Sequence, residues 1–216
     1  MKLFPVFQPI VDTAAGVQII GYETLIRGGE PNASYGAKEV FARAKTWGGV
    51  QALDQKIRDL QVQAGIPLLT PPQRLFLNLS PQAFNDPTWN VIHQFGKQIV
   101  LEISEHAKVG ESDIAWLQTF RAQGVHIAID DFGVGRSSLQ TIAALRPEYV
   151  KLDMSFVQNG DFETVRRMRR LAEDWETTLI VEGVETKEQA RCVLDAGVRY
   201  IQGYFFGSPF FLTVPP

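Results

Sequence analysis

The sequence predicts one α/β domain over residues 1–216, a TIM-like barrel in which strands and helices alternate. Three observations predict it. Six short apolar runs each end in a polar or charged residue, and stretches of helical period separate them. Ahead of them, two β-like runs are joined by a short glycine-containing segment. A chain of 216 residues that is 45% hydrophobic and 21% charged is long and apolar enough to bury such a core.

The opening runs are residues 7–11 and 18–26. The joining residues 12–16 include Gly16, which suits a hairpin, so the first two strands are expected to be antiparallel. Residues 36–64 read as helical, broken near Gly48 and Gly49, with Phe41, Ala44, Leu53, Ile57 and Leu60 as buried candidates. The repeating part follows. Its strands are Leu75, Phe76 and Leu77 before Asn78; Ile99, Val100 and Leu101 before Glu102; residues 126–129 before Asp130 and Asp131; Tyr149 and Val150 before Lys151; Leu179, Ile180 and Val181 before Glu182; and Tyr200 and Ile201 before Gln202. Helical stripes lie between them. Ile114, Leu117, Phe120 and Arg121 precede a stop at Gly124, and Phe162, Val165, Met168, Leu171 and Trp175 recur at helical spacing. No low-complexity run or composition shift marks a linker.

Composition excludes several classes. With 21 basic and 24 acidic residues the net charge is -3, which disfavours a surface for long nucleic acid. Cys192 has no second cysteine to pair with and is expected to be a buried thiol in a reducing compartment. Pro5, Gln8 and Asp12 interrupt any apolar run at the start, so no signal peptide or membrane segment is expected and the cytoplasm is the expected location.

The strand ends carry the chemistry. In a barrel of parallel strands these ends open on one face, where active sites are built. There the sequence places Asn78, Glu102, Asp130, Asp131, Lys151, Glu182 and Gln202. One polar residue at a strand end marks where the chain leaves the core; six in succession are a set. Clustered carboxylates repel one another unless a cation neutralises them. The candidate ligands are all oxygens of Asp, Glu or Asn, which suits magnesium or manganese rather than zinc or copper. Asp130 and Asp131 offer reach to two ions, and a pair roughly 3.5–4 Å apart is a common device for phosphodiester cleavage.

The segments FQPIVD, GYETLIR, LFLNLSP, LEISEH, IAIDDFGVGRSSL, VKLD, IVEGVET and IQGYFFGSP, in that order, resemble the signature segments of EAL-domain cyclic di-GMP phosphodiesterases over nearly the whole chain. The resemblance implies a modified (β/α)8 barrel with an antiparallel first strand. It implies hydrolysis of cyclic di-GMP to linear pGpG by in-line attack of a metal-activated water, in bacterial second-messenger signalling. It implies two ions of magnesium or manganese, inhibition by calcium, and a homodimer. Position by position, it implies that Glu23, Asn78, Glu102 and Asp130 are ligands of a first ion, with Asp130 bridging, and that Asp131 and Glu182 belong to a second. Lys151 would hold the attacking water and Glu182 would also act as base. Gln8, Leu25, Arg27 and Gln202 would lie near the dinucleotide, with Arg27 on a phosphate. Glu105 would steady the loop after Asp131, with Asp153 and Glu185 as further supporting residues.

Departures from the pattern are Thr24 in the eponymous triplet, the segment RGGEPNASYG, and Val134 and Arg136 in the loop 131–139. Thr24 is not expected to touch metal. The short stretches before Phe7 and after Pro209 lead us to expect a barrel that closes incompletely or borrows from a neighbour. Other motifs carry less. The DFG triplet lacks a kinase's glycine-rich loop and HRD segment, and GVGRSS lacks a phosphate loop's GK ending. Arg166, Arg167, Arg169 and Arg170 read as a solvated helix face. His93, His106 and His126 are scattered, and Trp47, Trp89, Trp116 and Trp175 are expected to pack in helices or loops. Two functional classes stay open: an active phosphodiesterase, or a catalytically silent module that binds cyclic di-GMP or a protein partner. The full set of Glu23, Asn78, Glu102, Asp130, Asp131, Lys151 and Glu182 favours the first.

Overall fold

The structure, a computed structural model, describes residues 2–30, 33–45, 49–80, 83–84, 86, 89–135 and 139–212. Trp47 and Arg136 fall outside the described residues.

The elements run in the order β1 (Leu3–Asp12), β2 (Gln18–Glu30), β3 (Ala33–Tyr35), α1 (Ala37–Lys45), α2 (Val50–Gly65), β4 (Arg74–Asn78), α3 (Asn90–Phe95), β5 (Ile99–Ser104), α4 (Glu111–Arg121), β6 (His126–Phe132), α5 (Leu139–Leu145), β7 (Tyr149–Leu152), α6 (Met154–Gln158), α7 (Phe162–Asp174), β8 (Thr178–Val181), α8 (Lys187–Asp195) and β9 (Tyr200–Gln202). The sheet order is β1-β9-β8-β7-β6-β5-β4-β2, with β1 pairing β2 to close the ring and β3 added outside on β2. β1 is antiparallel to both its neighbours, and the pairs from β2 round to β9 are parallel.

Closure corrects one expectation. The barrel closes within one chain, because β1 is ten residues long and hydrogen-bonds to β2 along its whole length and to β9 over Ile10, Val11 and Asp12. At that seam Asp12 accepts from Arg199 Nε at 2.6 Å and from the Ala14 N–H at 2.9 Å, so one carboxylate ties β9 and holds the turn after β1. The tail adds a further layer. Phe210 exchanges both backbone hydrogen bonds with Phe7 at 3.0 Å, laying its ring against Phe7 and Tyr22.

The three-residue apolar runs reflect strands buried on both faces. Leu75, Leu77, Leu101, Ile127, Ile129, Val150, Leu152 and Val181 point outward into the core shared with the helices. Ile10, Phe76, Val100, Ala128 and Ile180 point inward and pack together in the barrel interior, with Tyr149 and Tyr200 against them. On the outside, Trp89, Trp116, Phe84 and Phe120 stack beneath α3 and α4. Of the helical candidates over 36–64, Ala44 and Ile57 are buried, while Phe41, Leu53 and Leu60 are half-buried. One expectation changes in detail: Cys192 sits half-buried on α8, outside the core, with its thiol 3.9 Å from Glu188. The arginines of α7 lie on a solvated face, where Arg166 and Arg167 pair with Glu163 and Arg169 with Glu173.

Candidate functional site

Each strand that turns an apolar residue inward turns a polar one inward two positions later, because side chains alternate with period two. Phe76 is followed by Asn78, Val100 by Glu102, Ala128 by Asp130, Tyr149 by Lys151, Ile180 by Glu182 and Tyr200 by Gln202. β2 contributes Glu23 and the antiparallel β1 contributes Gln8. The result is a charged layer on top of an apolar one.

Lys151 is the hub. Its side chain is 1% exposed, and Nζ lies 2.7 Å from Glu182 Oε1, 2.8 Å from Glu102 Oε1, 2.9 Å from Asp130 Oδ1 and 3.3 Å from Glu23 Oε2. Asn78 Nδ2 bridges Glu23 Oε1 at 3.2 Å and Glu102 Oε2 at 3.3 Å. Gln202 Nε2 donates to Glu23 Oε2 at 2.6 Å and Gln8 Oε1 at 3.3 Å.

One ammonium does not balance these carboxylates. Burial, with Glu23 and Asp130 close by, holds Glu102 well above the usual carboxylate range despite Lys151. Burial likewise raises Glu182 to about 8, with repulsion from Asp130 and Glu23 adding to it. Asp131 is raised by burial and by Asp130. Burial also pushes Glu23 up, but Lys151, Gln202 and Asn78 outweigh it and hold that carboxyl below its ordinary value. Lys151 itself is raised well above the usual lysine range, since the surrounding carboxylates outweigh its burial.

Asp131 reaches the site by breaking the strand pattern. Strict alternation would turn it away from Asp130, but its φ is +56° and the pairing of β6 with β7 shifts register between Ile129 and Phe132. Aspartate tolerates this left-handed backbone better than most residues, at a cost of roughly 1–2 kcal/mol. Asp130, Asp131 and Glu182 thereby each offer a carboxylate oxygen, all within 4.8 Å of one another. The next residues are pinned from β5. Glu105, buried, accepts on Oε2 from the N–H groups of Gly133, Val134 and Gly135 at 2.9, 3.1 and 2.7 Å.

The donors present fit a hard divalent cation: they are oxygens, they carry more negative charge than Lys151 cancels, and the buried Glu102 Oε1 and Asp130 Oδ1 receive no hydrogen bond of good geometry. A cavity of about 220 Å³ opens above them, lined by Gln8, Glu23, Leu25, Asp130, Asp131, Glu182, Glu185 and Gln202. Met154, Gly183, Gly203 and Tyr204 also line it; they lie on loops and helix starts beyond the strand ends, where the alternation gives no signal. Arg27 does not join this group. It lies half-buried farther along β2 and donates from Nη1 to the Ile26 carbonyl at 3.0 Å. Asp153 caps α6 by accepting from Ser155 N at 2.9 Å. Thr24 is fully buried and turned away from the site, its Oγ1 donating to the Phe76 carbonyl at 3.1 Å. A second cavity of about 280 Å³ beside Glu23 and Asn78 holds a buried ion cluster absent from the sequence reading: Arg58 lies 3.3 Å from Asp54, 3.1 Å from Asp86 and over the Trp89 ring.

Comparison with known proteins follows the same lines. The profile of the EAL domain matches residues 1–209. The chain belongs to the EAL domain family. Among curated relatives, a probable cyclic di-GMP phosphodiesterase of Escherichia coli (strain K12), PdeN, is 30% identical over 231 residues, which cover 96% of this chain and 43% of PdeN. The chain therefore spans under half the length of that relative. The EAL barrel also superposes on solved structures. The manganese and cyclic di-GMP complex of Klebsiella pneumoniae BlrP1 at pH 6 gives a TM-score of 0.83 at 26% identity, covering 97% of this chain and 56% of that one. The PaMucR phosphodiesterase in complex with c-di-GMP gives 0.84 at 24% identity, covering 97% and 92%, and establishes the fold. Among the described residues no helix is long and apolar enough to cross a membrane.

Proposed function

We propose that this chain is an active phosphodiesterase that opens cyclic di-GMP to linear pGpG. The observation that carries the proposal is the complete acidic layer gathered on Lys151 at the open end of the barrel. Glu23, Asn78, Glu102 and Asp130 would hold one divalent cation, and Asp131 and Glu182, with Asp130 shared, a second. Magnesium or manganese held there supplies positive charge against the phosphoryl oxygens and lowers the proton affinity of water.

The chain's own groups do the rest. Gln8, Leu25 and Gln202 line the approach and orient the dinucleotide, and the planar fork of Arg27 matches a phosphate once it turns from the Ile26 carbonyl. Lys151 donates an N–H to the attacking water and stabilises negative charge as the ribose oxygen leaves. Glu182, which burial lifts to about 8 before any cation binds, accepts the proton from that water. Glu105 fixes the backbone after Asp131 and so the direction of that carboxylate. Glu185, at the cavity rim, has its own N–H held by Gln189 at 2.8 Å and steadies the β8 loop. The same reading places the protein in the cytoplasm, as a homodimer built through the loop after Asp131, where Val134 is half exposed.

The test is turnover of cyclic di-GMP, followed by chromatography of products in magnesium, manganese and calcium. Release of pGpG in magnesium or manganese, with suppression by calcium, is expected, because calcium's longer and looser coordination leaves the water out of line. Nucleotide binding without product in any ion would mean a silent receptor.

A further inference from the structure

We infer that Lys151 is an internal counter-ion that occupies the cation position of the metal-free protein, so that metal loading is an exchange: the ammonium must leave Glu23 and Glu102 as the divalent ion enters. The inference rests on the metal-centre reading above and concerns what fills the centre before the metal does.

Geometry carries it. Nζ stands within 3.3 Å of oxygens from four separate carboxylates, on β2, β5, β6 and the end of β8. An ammonium has three N–H bonds, so four hydrogen bonds at once are beyond it. Of the four, Glu102 Oε1 and Asp130 Oδ1 receive no hydrogen bond of good geometry, although they lie 2.8 and 2.9 Å from Nζ. The contact is that of a point charge centred among oxygens, which is how a metal ion uses them. Lys151 is 1% exposed, and its β7 backbone pairs with β8 on one side, with Ile180 opposite, so the ammonium stands among these carboxylates rather than in solvent. Asn78 and Gln202 complete the enclosure by donating to Glu23 from two sides. These two amides brace the carboxylate independently of Lys151, so Glu23 keeps its direction when the ammonium withdraws.

Two consequences follow from charge alone. Removing the ammonium should raise affinity for a divalent cation, since a positive charge within a few ångströms of the ligands repels it. It should also weaken the metal-free fold, in which the carboxylates would then face one another unneutralised.

The experiment measures Mn²⁺ binding without nucleotide, by electron paramagnetic resonance of the free ion, together with melting in EDTA, for the wild type, Lys151→Met and Glu23→Gln. Lys151→Met should bind Mn²⁺ at least about 10-fold tighter. It should melt lower than the wild type in EDTA and recover when Mn²⁺ is added; a variant that folds only with Mn²⁺ supports the inference equally. Unchanged or weaker Mn²⁺ binding by a folded Lys151→Met overturns it and leaves the phosphodiesterase reading standing. A wild type that takes up no Mn²⁺, with Glu23→Gln indistinguishable from it, overturns the metal centre itself. A second measurement needs no folded Lys151→Met. In wild type labelled with ¹³C at lysine Cε, the Lys151 signal, assigned with Lys151→Arg, should shift in step with Mg²⁺ occupancy. A signal that stays fixed at saturating Mg²⁺ overturns the exchange.

Discussion

Two layers of the barrel interior, two residues apart on the same strands, do opposite things. The lower layer is Ile10, Phe76, Val100, Ala128 and Ile180, closely packed and apolar. The upper layer is Gln8, Asn78, Glu102, Asp130, Lys151 and Glu182. The strands are shared, so the contrast lies in the side chains and in how open they stand: the lower layer is at most 1% exposed, whereas Asn78 is exposed and Asp130 and Glu182 are half-buried. The lower layer gains from burial in proportion to the apolar area removed from water. The upper layer loses from it, as the raised carboxyls of Glu102 and Glu182 record. One layer holds the barrel together; the other is sustained by it.

The contrast breaks most sharply by exchanging what each layer lacks. Phe76→Ala, at 1% exposure, should remove about 3–5 kcal/mol of stability through the cavity it leaves, read as a fall in the denaturant midpoint, while the molecules that remain folded keep their turnover number. Glu23→Ala should do the reverse. Turnover should fall by roughly 10²–10³, equivalent to about 3–4 kcal/mol of lost transition-state stabilisation, with a much smaller change in the metal-free melting curve. Equal losses of stability from both substitutions would erase the distinction between the layers.

The distinction was legible in the sequence where it depends on alternation. A run such as Leu75, Phe76, Leu77, Asn78 signals a strand buried on both faces whose inner face turns polar at its end, and that pattern marked Asn78, Glu102, Asp130, Lys151, Glu182 and Gln202. Asp131, which the sequence places at the same strand end as Asp130, joins the site through a left-handed φ of +56°, a geometry that alternation alone does not supply. Closure of the ring depends on β1 pairing with β9 as well as with its hairpin partner β2, and a pairing between segments as distant as β1 and β9 leaves no local trace. Arg27 shares β2 with Glu23, yet its guanidinium turns to the Ile26 carbonyl, a rotamer choice outside any pattern. The half-buried Cys192 reflects which face of α8 meets the barrel.

A smaller effect sharpens the role of the loop. Glu105→Ala leaves the N–H groups of Gly133, Val134 and Gly135 without their carboxylate acceptor on a largely exposed loop, where water replaces part of it and each lost hydrogen bond costs about 0.5–1.5 kcal/mol net. Turnover should drop about tenfold through misdirection of Asp131, a loss of roughly 1.4 kcal/mol, while Glu105→Gln, which keeps an acceptor oxygen, should recover part of it. Unchanged kinetics in Glu105→Ala would remove the loop from the account.

The smallest effect is in pH. Glu182 has a folded value of about 8 against 4.5 as its ordinary value, so the folded protein holds this proton more tightly than the unfolded chain. Its contribution is fully present below 4.5 and is lost as pH rises through about 8. Glu102, also raised, acts in the same direction, whereas Glu23, held low, contributes above its ordinary value of 4.5. In EDTA the melting temperature should therefore decline from pH 6 to pH 8.5, and Mn²⁺ should raise it more at the upper end. A metal-free protein that gains stability over that interval would contradict the assignment of Glu102 and Glu182 as strained carboxylates.

Glu102→Gln tests the central claim most directly, because it neutralises one upper-layer charge while keeping its shape. Melting in EDTA at pH 8 and turnover of cyclic di-GMP in magnesium, measured on the same preparation, should move in opposite directions: melting rises, since a raised carboxyl is removed, and turnover falls by about 100-fold or more. A variant that melts lower and still turns over at the parent rate would show that Glu102 belongs to the packing of the barrel and that the upper layer is not built for a cation.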